Sequence, residues 1–509
     1  MCSIIGLKGN IKIETLRKMM KTTQHRGPDA SGIYLTNNKE SLLKTNSQNL
    51  VNLKNQTYNI GLGQNLLSIF PSVKNPEDAI KINTQPIKKD NLTLIFNGEI
   101  YNYPEIIKKI GNEEKTRSDS HLLLDLIINK KNTSGNLKTA IIETLKIIDG
   151  DYSFAITDDT NLILARDPVG VKPLYYGFNL EEKIMGFASE RKALWAAGIT
   201  SINTLKPGCI LYNDEIIEVN DLFKTITSNE ASYEDYMNQL TNTLYESVFK
   251  RVMNLSEVGL IFSGGVDSAF LAYILKKISL KTGLKVTLYT VGNIGSKDLE
   301  YSKKLASTLD LPLKIQVITP QEVENSIEDV IKSIESTNPM KLGVGMTIFL
   351  ASYMIKQDKI KVALSGQGAD ELFAGYNRYM KHVLNHDYQG LNNELTNDIE
   401  NIYNVNLERD DAACMANGVE LRVPYLDYKL IKLAMTIPSE YKILNPEDKL
   451  KKHILRQAAE KYGVPEEYAQ RPKKAAQYGS GIDKILKKKT SKKVDFNKIL
   501  NNFRMELIN

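Results

Sequence analysis

At 509 residues the chain is too long for one hydrophobic core, so two or more domains are expected, and two is the choice. Its 42% hydrophobic and 25% charged content and mean hydropathy of −0.29 are those of a globular protein, and 66 basic against 60 acidic residues give +6, too small an excess to imply nucleic acid. No run of about 18 apolar residues occurs, Met1-Cys2-Ser3-Ile4-Ile5-Gly6-Leu7 lacks the charged start and long apolar stretch of a signal peptide, and three scattered cysteines, Cys2, Cys209 and Cys414, exclude a disulfide framework or metal-ligand spacing, so a cytoplasmic protein is expected.

From the start to about Pro207 the chain reads as short β-rich runs separated by Gly, Asn and Asp turns: Cys2 to Leu7, Leu92 to Phe96, Tyr152 to Thr157, Leu162 to Ala165 and Ile184 to Ala188. Helical periodicity interrupts at Ile13 to Lys21, Asp119 to Ile128 and Thr139 to Ile148. The pattern predicts an α+β sandwich over residues 2–207. A polar stretch near Thr225 to Ser232 and an amphipathic segment, Tyr233 to Met253, mark the boundary.

Beyond it, Val258 to Phe262 passes through a glycine turn into the helical Ala269 to Ile278, and Val286 to Val291 and Lys361 to Leu364 are further apolar strands between helices. This alternation predicts an α/β domain with a parallel sheet over 233–481. Residues 482–509 form a tail with lysines at Lys487 to Lys489, Lys492 and Lys493, read as a solvated helix end or frayed tail.

Chemistry concentrates in a few strings. Removal of Met1 would put a thiol and a free α-amine on Cys2. A thiol of ordinary pKa about 8.5 is a weak nucleophile at neutral pH, and an α-amine of pKa about 7.7 to 8.0 can take its proton. In Ser263-Gly264-Gly265-Val266-Asp267-Ser268, between strand and helix, two glycines let the backbone approach an anion, hydroxyls donate, and the helix start favours negative charge. That is a pyrophosphate cradle without the Walker A lysine. Ser365-Gly366-Gln367-Gly368-Ala369-Asp370-Glu371 follows another strand, and its acids suit Mg²⁺ shared with a triphosphate.

The first of these loops resembles that of the PP-loop ATP pyrophosphatases. Together with Gly292 to Asp298 and Gly418-Val419-Glu420-Leu421-Arg422-Val423-Pro424-Tyr425-Leu426-Asp427, it resembles the synthetase domain of glutamine-hydrolysing asparagine synthetases. In the first half, Arg26-Gly27-Pro28-Asp29, Asn97-Gly98-Glu99-Ile100-Tyr101-Asn102, Ser118-Asp119 and Arg166-Asp167-Pro168-Val169-Gly170-Val171-Lys172-Pro173-Leu174 resemble the glutaminase domain of N-terminal-nucleophile amidotransferases. The likeness runs from Cys2 to about Gly481.

The resemblance implies roles. Cys2 would attack the glutamine amide; the Asn97 side chain and Gly98 N–H would form the oxyanion hole. Glu99 and Asp119 would hold the substrate's α-ammonium, and Arg26 with Asp29 would shape the site. Ser263, Gly264, Gly265, Asp267 and Ser268 would bind pyrophosphate and Mg²⁺, Asp267 and Asp370 being the metal ligands. Ile261, Val291, Ser365 and Gly366 would line the adenine and ribose pocket, and Lys473 would neutralise departing pyrophosphate. Arg409 and Asp411 would lie near acceptor and nucleotide.

Two positions depart from the family pattern. In Gln64-Asn65-Leu66-Leu67-Ser68-Ile69, Leu66 stands where an arginine clamps the glutamine α-carboxylate, and a leucine cannot pair with it. Gln367 stands where many members carry a glutamate, and it cannot take a proton at neutral pH. The implied activity is an ATP- and Mg²⁺-dependent asparagine synthetase releasing AMP, pyrophosphate and glutamate. An apolar passage would carry ammonia between its sites. The alternatives are the same chemistry on another carboxylic acid, or a non-catalytic glutamine- or nucleotide-binding regulator. Expected partners are glutamine, aspartate, ATP and a second copy in a homodimer, with no nucleic acid or membrane.

Overall fold

The computed structural model describes residues 2–37, 41–45, 57–69, 76–110, 118–220, 222, 231–293, 296–445, 447–472, 481–490 and 495–508. The chain folds into two compact units, 1–221 with 500–509, and 222–499.

The first unit holds two antiparallel sheets. The seven-stranded sheet runs, edge to edge, Ile202–Thr204, Tyr175–Asn179, Ile184–Ala188, Cys2–Lys12, Thr57–Leu66, Ala30–Thr36, Ser41–Thr45. The six-stranded sheet runs Glu215–Glu218, Cys209–Tyr212, Leu162–Arg166, Gly150–Thr157, Leu92–Ile100, Ile87–Lys89. Alternation along each strand sorts the core into layers. Ile4, Leu62, Ile95 and Leu164 pack between the sheets. Ile5, Leu7, Leu16 and Leu194 pack on the outer face of the first sheet, and Leu94, Phe96, Leu123 and Ile141 on that of the second. Each such apolar side chain contributes about 1.5–3 kcal/mol by leaving water. This is the expected α+β sandwich.

The second unit is built on a five-stranded parallel sheet in the order Leu313–Val317, Lys285–Gly292, Glu257–Ile261, Val362–Leu364, Glu420–Arg422, with helices between the strands, the expected α/β architecture. The order is not sequential, because helices return the chain over the sheet.

Element ends differ from the periodicity in instructive ways. The helix expected at Thr139 to Ile148 spans Leu137–Leu145, because the Asn136 side chain accepts from Thr139 N at 3.0 Å and sets the start earlier. The helix expected from Ala269 begins at Val266, with Gly265 as its N-cap, so Asp267 and Ser268 sit in its first turn. The strand Thr57–Leu66 escapes the pattern because its glycines face packed neighbours: a Cβ on Gly63 would lie 3.1 Å from Ile5 and Met20. No helix among the described residues is long and apolar enough to cross a membrane.

Candidate active sites

Cys2 opens the central strand of the seven-stranded sheet and shares parity with Ile4, so its thiol faces the layer between the sheets and is 6% exposed. Its backbone N donates to Asn97 Oδ1 on the opposite sheet at 2.9 Å. Asn97 is fully buried, and its other polar atom, Nδ2, has no hydrogen-bond partner among the described residues. Leaving a buried donor unmade costs about 1–3 kcal/mol, so this amide holds an unused donor at the residue that also contacts the Cys2 backbone. The neighbouring Gly98 is required by strand pairing, since a Cβ there would lie 2.2 Å from the Asp151 carbonyl. Glu99 follows on the same strand, and Asp119, in the first turn of its helix, accepts from Ile100 N at 3.4 Å. Asn97, Gly98, Glu99 and Asp119 therefore stand close together.

Arg26 has a different task. Its buried guanidinium donates to Glu190 Oε1 at 2.9 Å and, from Nε, to the Cys2 carbonyl at 3.5 Å. Glu190 also meets His25 at 3.1 Å and Lys192 at 2.9 Å. Burial alone would raise the Glu190 carboxyl, but His25, Lys192 and Arg26 hold it well below the usual range. The cluster is a charged strut behind the Cys2 backbone. Asp29 closes the same turn, its N–H donating to the Leu66 carbonyl at 3.0 Å and its Oδ2 accepting from Ser68 N at 2.7 Å. Arg166 and Asp167 form a loop clasp: Arg166 donates to the carbonyls of Gly170, Lys172 and Leu205, and Asp167 accepts from the N–H groups of Val169 to Lys172.

The second site is a cavity of about 470 Å³ at the carboxyl ends of Glu257–Ile261, Lys285–Gly292 and Val362–Leu364, where parallel sheets bind ligands. Ile261, Ser263, Gly265, Asp267 and Ser268 line one side, and Val291 lines it from the neighbouring strand. Ser365, Gly366, Gln367 and Asp370 line the next loop, and Arg409 the far wall. Gly264 has φ +66, which favours glycine, and its carbonyl accepts from Arg471 at 3.1 Å. Asp411 is buried on the helix carrying Arg409 but does not line the cavity, whereas Asp410 does. Lys473 lies outside the described residues.

A family model described as asparagine synthase matches residues 239–395 and 385–495, and one described as a glutamine amidotransferase domain matches 73–196. A Methanocaldococcus jannaschii protein named as a putative glutamine-hydrolysing asparagine synthetase 1 is 38% identical over 98% of this chain and 97% of its own length. The chain belongs to the glutamine-hydrolysing asparagine synthetase family. Asparagine synthetase B of Escherichia coli is 29% identical over 95% of the chain and 82% of its own length; asparagine synthetase 1 of Arabidopsis thaliana is 27% identical over 90% and 74%. The chain is thus a glutamine-dependent ligase of the asparagine synthetase family.

Against that family background, sequence reasoning misses three site residues. Lys452, buried and lining the cavity, places Nζ 2.7 Å from Asp267 and 2.6 Å from Asp370. Burial alone would lower its pKa; the two carboxylates more than offset that and raise it. In a lysine-rich stretch with Lys449 and Lys451, nothing in the local string distinguishes it. Glu190 and His25 escape notice because 165 residues separate the two partners. The two departures from the asparagine synthetase pattern also find their places. Leu66 is the register partner of Cys2, and Gln367 lines the cavity with no charge to offer.

Proposed function

We propose that the first unit hydrolyses glutamine to glutamate and ammonia, and that the second joins that ammonia to aspartate at the expense of ATP, releasing asparagine, AMP and pyrophosphate. The observation that carries it is the Asn97 amide, with Oδ1 held by Cys2 and Nδ2 left for a developing oxyanion. Cys2 Sγ, its proton passed to the α-amine exposed on removal of Met1, attacks the glutamine side-chain carbonyl carbon. The tetrahedral oxyanion is met by Asn97 Nδ2 and the Gly98 N–H. Ammonia leaves with a proton, and water then cleaves the thioester. Glu99 and Asp119 supply negative charge for the substrate ammonium, while Arg26, fixed by Glu190, positions the Cys2 backbone.

In the second unit the aspartate side-chain carboxylate attacks the α-phosphorus of ATP and displaces pyrophosphate. Ammonia then attacks the acyl carbon and AMP departs. The glycine loop, Ser263 and Ser268 cradle phosphates, and Lys452 balances the charge that develops on the leaving pyrophosphate. Asp267 and Asp370 fit Mg²⁺: two carboxylates converge on one positive charge, the Lys452 ammonium, in the cavity wall. A protein offering one or two carboxylates and leaving the remaining positions to phosphate and water suits this ion, which supplies charge neutralisation on the triphosphate. Residues 2–207 and 233–481 carry the two activities in this proposal.

The test is incubation of the purified chain with ATP, Mg²⁺, glutamine and aspartate. Asparagine, glutamate, AMP and pyrophosphate are expected, with AMP absent when aspartate is left out. AMP formed with other acids but not with aspartate would move the assignment to a different acceptor.

A further inference from the structure

The wall of the cavity away from the glycine loop is shaped by an irregularity in one long helical run. Tyr388–Ile402 is α-helical, Tyr403–Leu407 makes a π-helical turn, and Glu408–Met415 resumes the α-helix. A π turn holds an extra residue per turn and re-aims the side chains beside it, and such turns recur at functional sites. Here Asn406, Arg409 and Asp410 face the cavity. Arg409 Nε donates to Asp410 Oδ1 at 2.7 Å, and Arg409 Nη1 donates to Asn406 Oδ1 at 3.4 Å. Asp410 is 1% exposed, and its second oxygen, Oδ2, is buried without a hydrogen-bond partner among the described residues. Two other carboxylates lining the cavity, Asp398 and Glu371, have partners. Asp398 accepts from Arg378 at 2.5 Å, and Glu371 accepts from the Tyr376 hydroxyl at 2.6 Å and from Asn406 Nδ2 at 2.8 Å.

An ionised carboxylate has about four lone-pair sites, and a buried one with an idle oxygen is stabilised by whatever cation or donor enters beside it. The guanidinium adjoining it offers planar paired donors suited to a carboxylate. A carboxylate oxygen and a guanidinium side by side are complementary to the two charged groups on the α-carbon of an amino acid.

We infer that Asp410 is a specificity-determining residue whose Oδ2 receives the α-ammonium group of an amino-acid acceptor, with Arg409 beside it for the α-carboxylate. The inference rests on the proposed function and deepens it, because it separates amino-acid acceptors from carboxylic acids that lack an amine. Asp410 touches the part of the acceptor that does not react, so it sets acceptor affinity and leaves the nucleotide alone.

The experiment compares aspartate with succinate, which keeps both carboxylates and lacks the ammonium. In the wild-type chain, succinate is expected to compete with aspartate with a Ki at least about tenfold above the aspartate KM. Equal binding of the two overturns the inference without any variant. In Asp410→Asn, which keeps the shape and the contact to Arg409, the aspartate KM rises at least about tenfold, while the succinate Ki and the ATP KM change less than about twofold. Asp410→Glu retains a preference for aspartate. If aspartate and succinate weaken together in Asp410→Asn, the residue serves only to hold Arg409 and the inference falls. A wild-type chain that forms no AMP with aspartate fails the proposed function itself, a distinct outcome.

Discussion

Leu66 lies directly opposite Cys2 in the antiparallel pairing of Cys2–Lys12 with Thr57–Leu66, and it is 4% exposed. Opposite residues hold their Cβ atoms about 4.5–5.5 Å apart, so whatever occupies position 66 borders Cys2 and, in the proposed function, the glutamine bound there. A leucine there gives a glutamine carboxylate no counter-charge. Leu66→Arg is expected to lower the glutamine KM several-fold, with kcat changed less than about twofold, because a bidentate arginine contact strengthens ground-state and transition-state binding alike. Steady-state glutamate release checks it; an unchanged KM places the carboxylate elsewhere.

Cys2→Ala removes the proposed nucleophile and leaves the synthetase cavity unchanged. Glutamine hydrolysis is expected to fall to background while asparagine formation from added ammonium salt continues. The active wild-type chain is expected to begin at Cys2, so mass spectrometry finding Met1 retained in active material would contradict the use of its amine as base.

Asn97→Ala takes away both the contact to Cys2 N and the unpartnered Nδ2. Losing one oxyanion donor typically costs about 10² to 10³ in kcat. A drop of that order in glutaminase kcat, with a glutamine KM within a few-fold of wild type, is expected. A change confined to KM would mean that the amide binds ground-state substrate instead.

Lys452→Met leaves Asp267 and Asp370 without the cation between them. AMP and pyrophosphate formation is expected to stop, and glutamine hydrolysis to persist. Retained AMP formation would limit Lys452 to a structural role.

Stability at low pH reports a different pair of cations. Asp427, N-cap of Tyr428–Thr436, accepts from Arg251 at 2.8 Å and Lys250 at 2.5 Å. Burial by itself would raise its pKa, but Arg251 and Lys250 take it down from 3.8 to about 2. A depressed folded-state pKa stabilises above the unfolded value, and the contribution is lost as pH falls from about 4 to about 2. A depression of that size corresponds to about 2 kcal/mol. Asp427→Asn should therefore lower the unfolding free energy in urea by on the order of 2 kcal/mol at pH 7, and its gap to wild type should narrow between about pH 4 and pH 2.

Local pattern carries far in this chain. Strand Leu92–Ile100, the glycine loop after Ile261 and the motif around Asn97 are visible because alternation and turn residues act over a few positions. Helix ends are less legible: the Asn136 cap and the Gly265 start depend on one hydrogen bond or one extended residue, which periodicity does not register. Strand Thr57–Leu66 stays hidden because glycines stand where packing excludes larger side chains.

By itself, the sequence determined the two fold classes and displayed the candidate nucleophile, the glycine loop and the departure at Leu66, all properties of short segments or single residues. Only the tertiary structure decided that Lys452 sits between Asp267 and Asp370, that Glu190 braces Arg26, and that Asp410 faces the cavity in place of Asp411. The reason is physical: a hydrophobic period records which face of an element leaves water. A charge buried 185 residues from its partner gains its meaning from sheet order and helix rotation, which no local window contains.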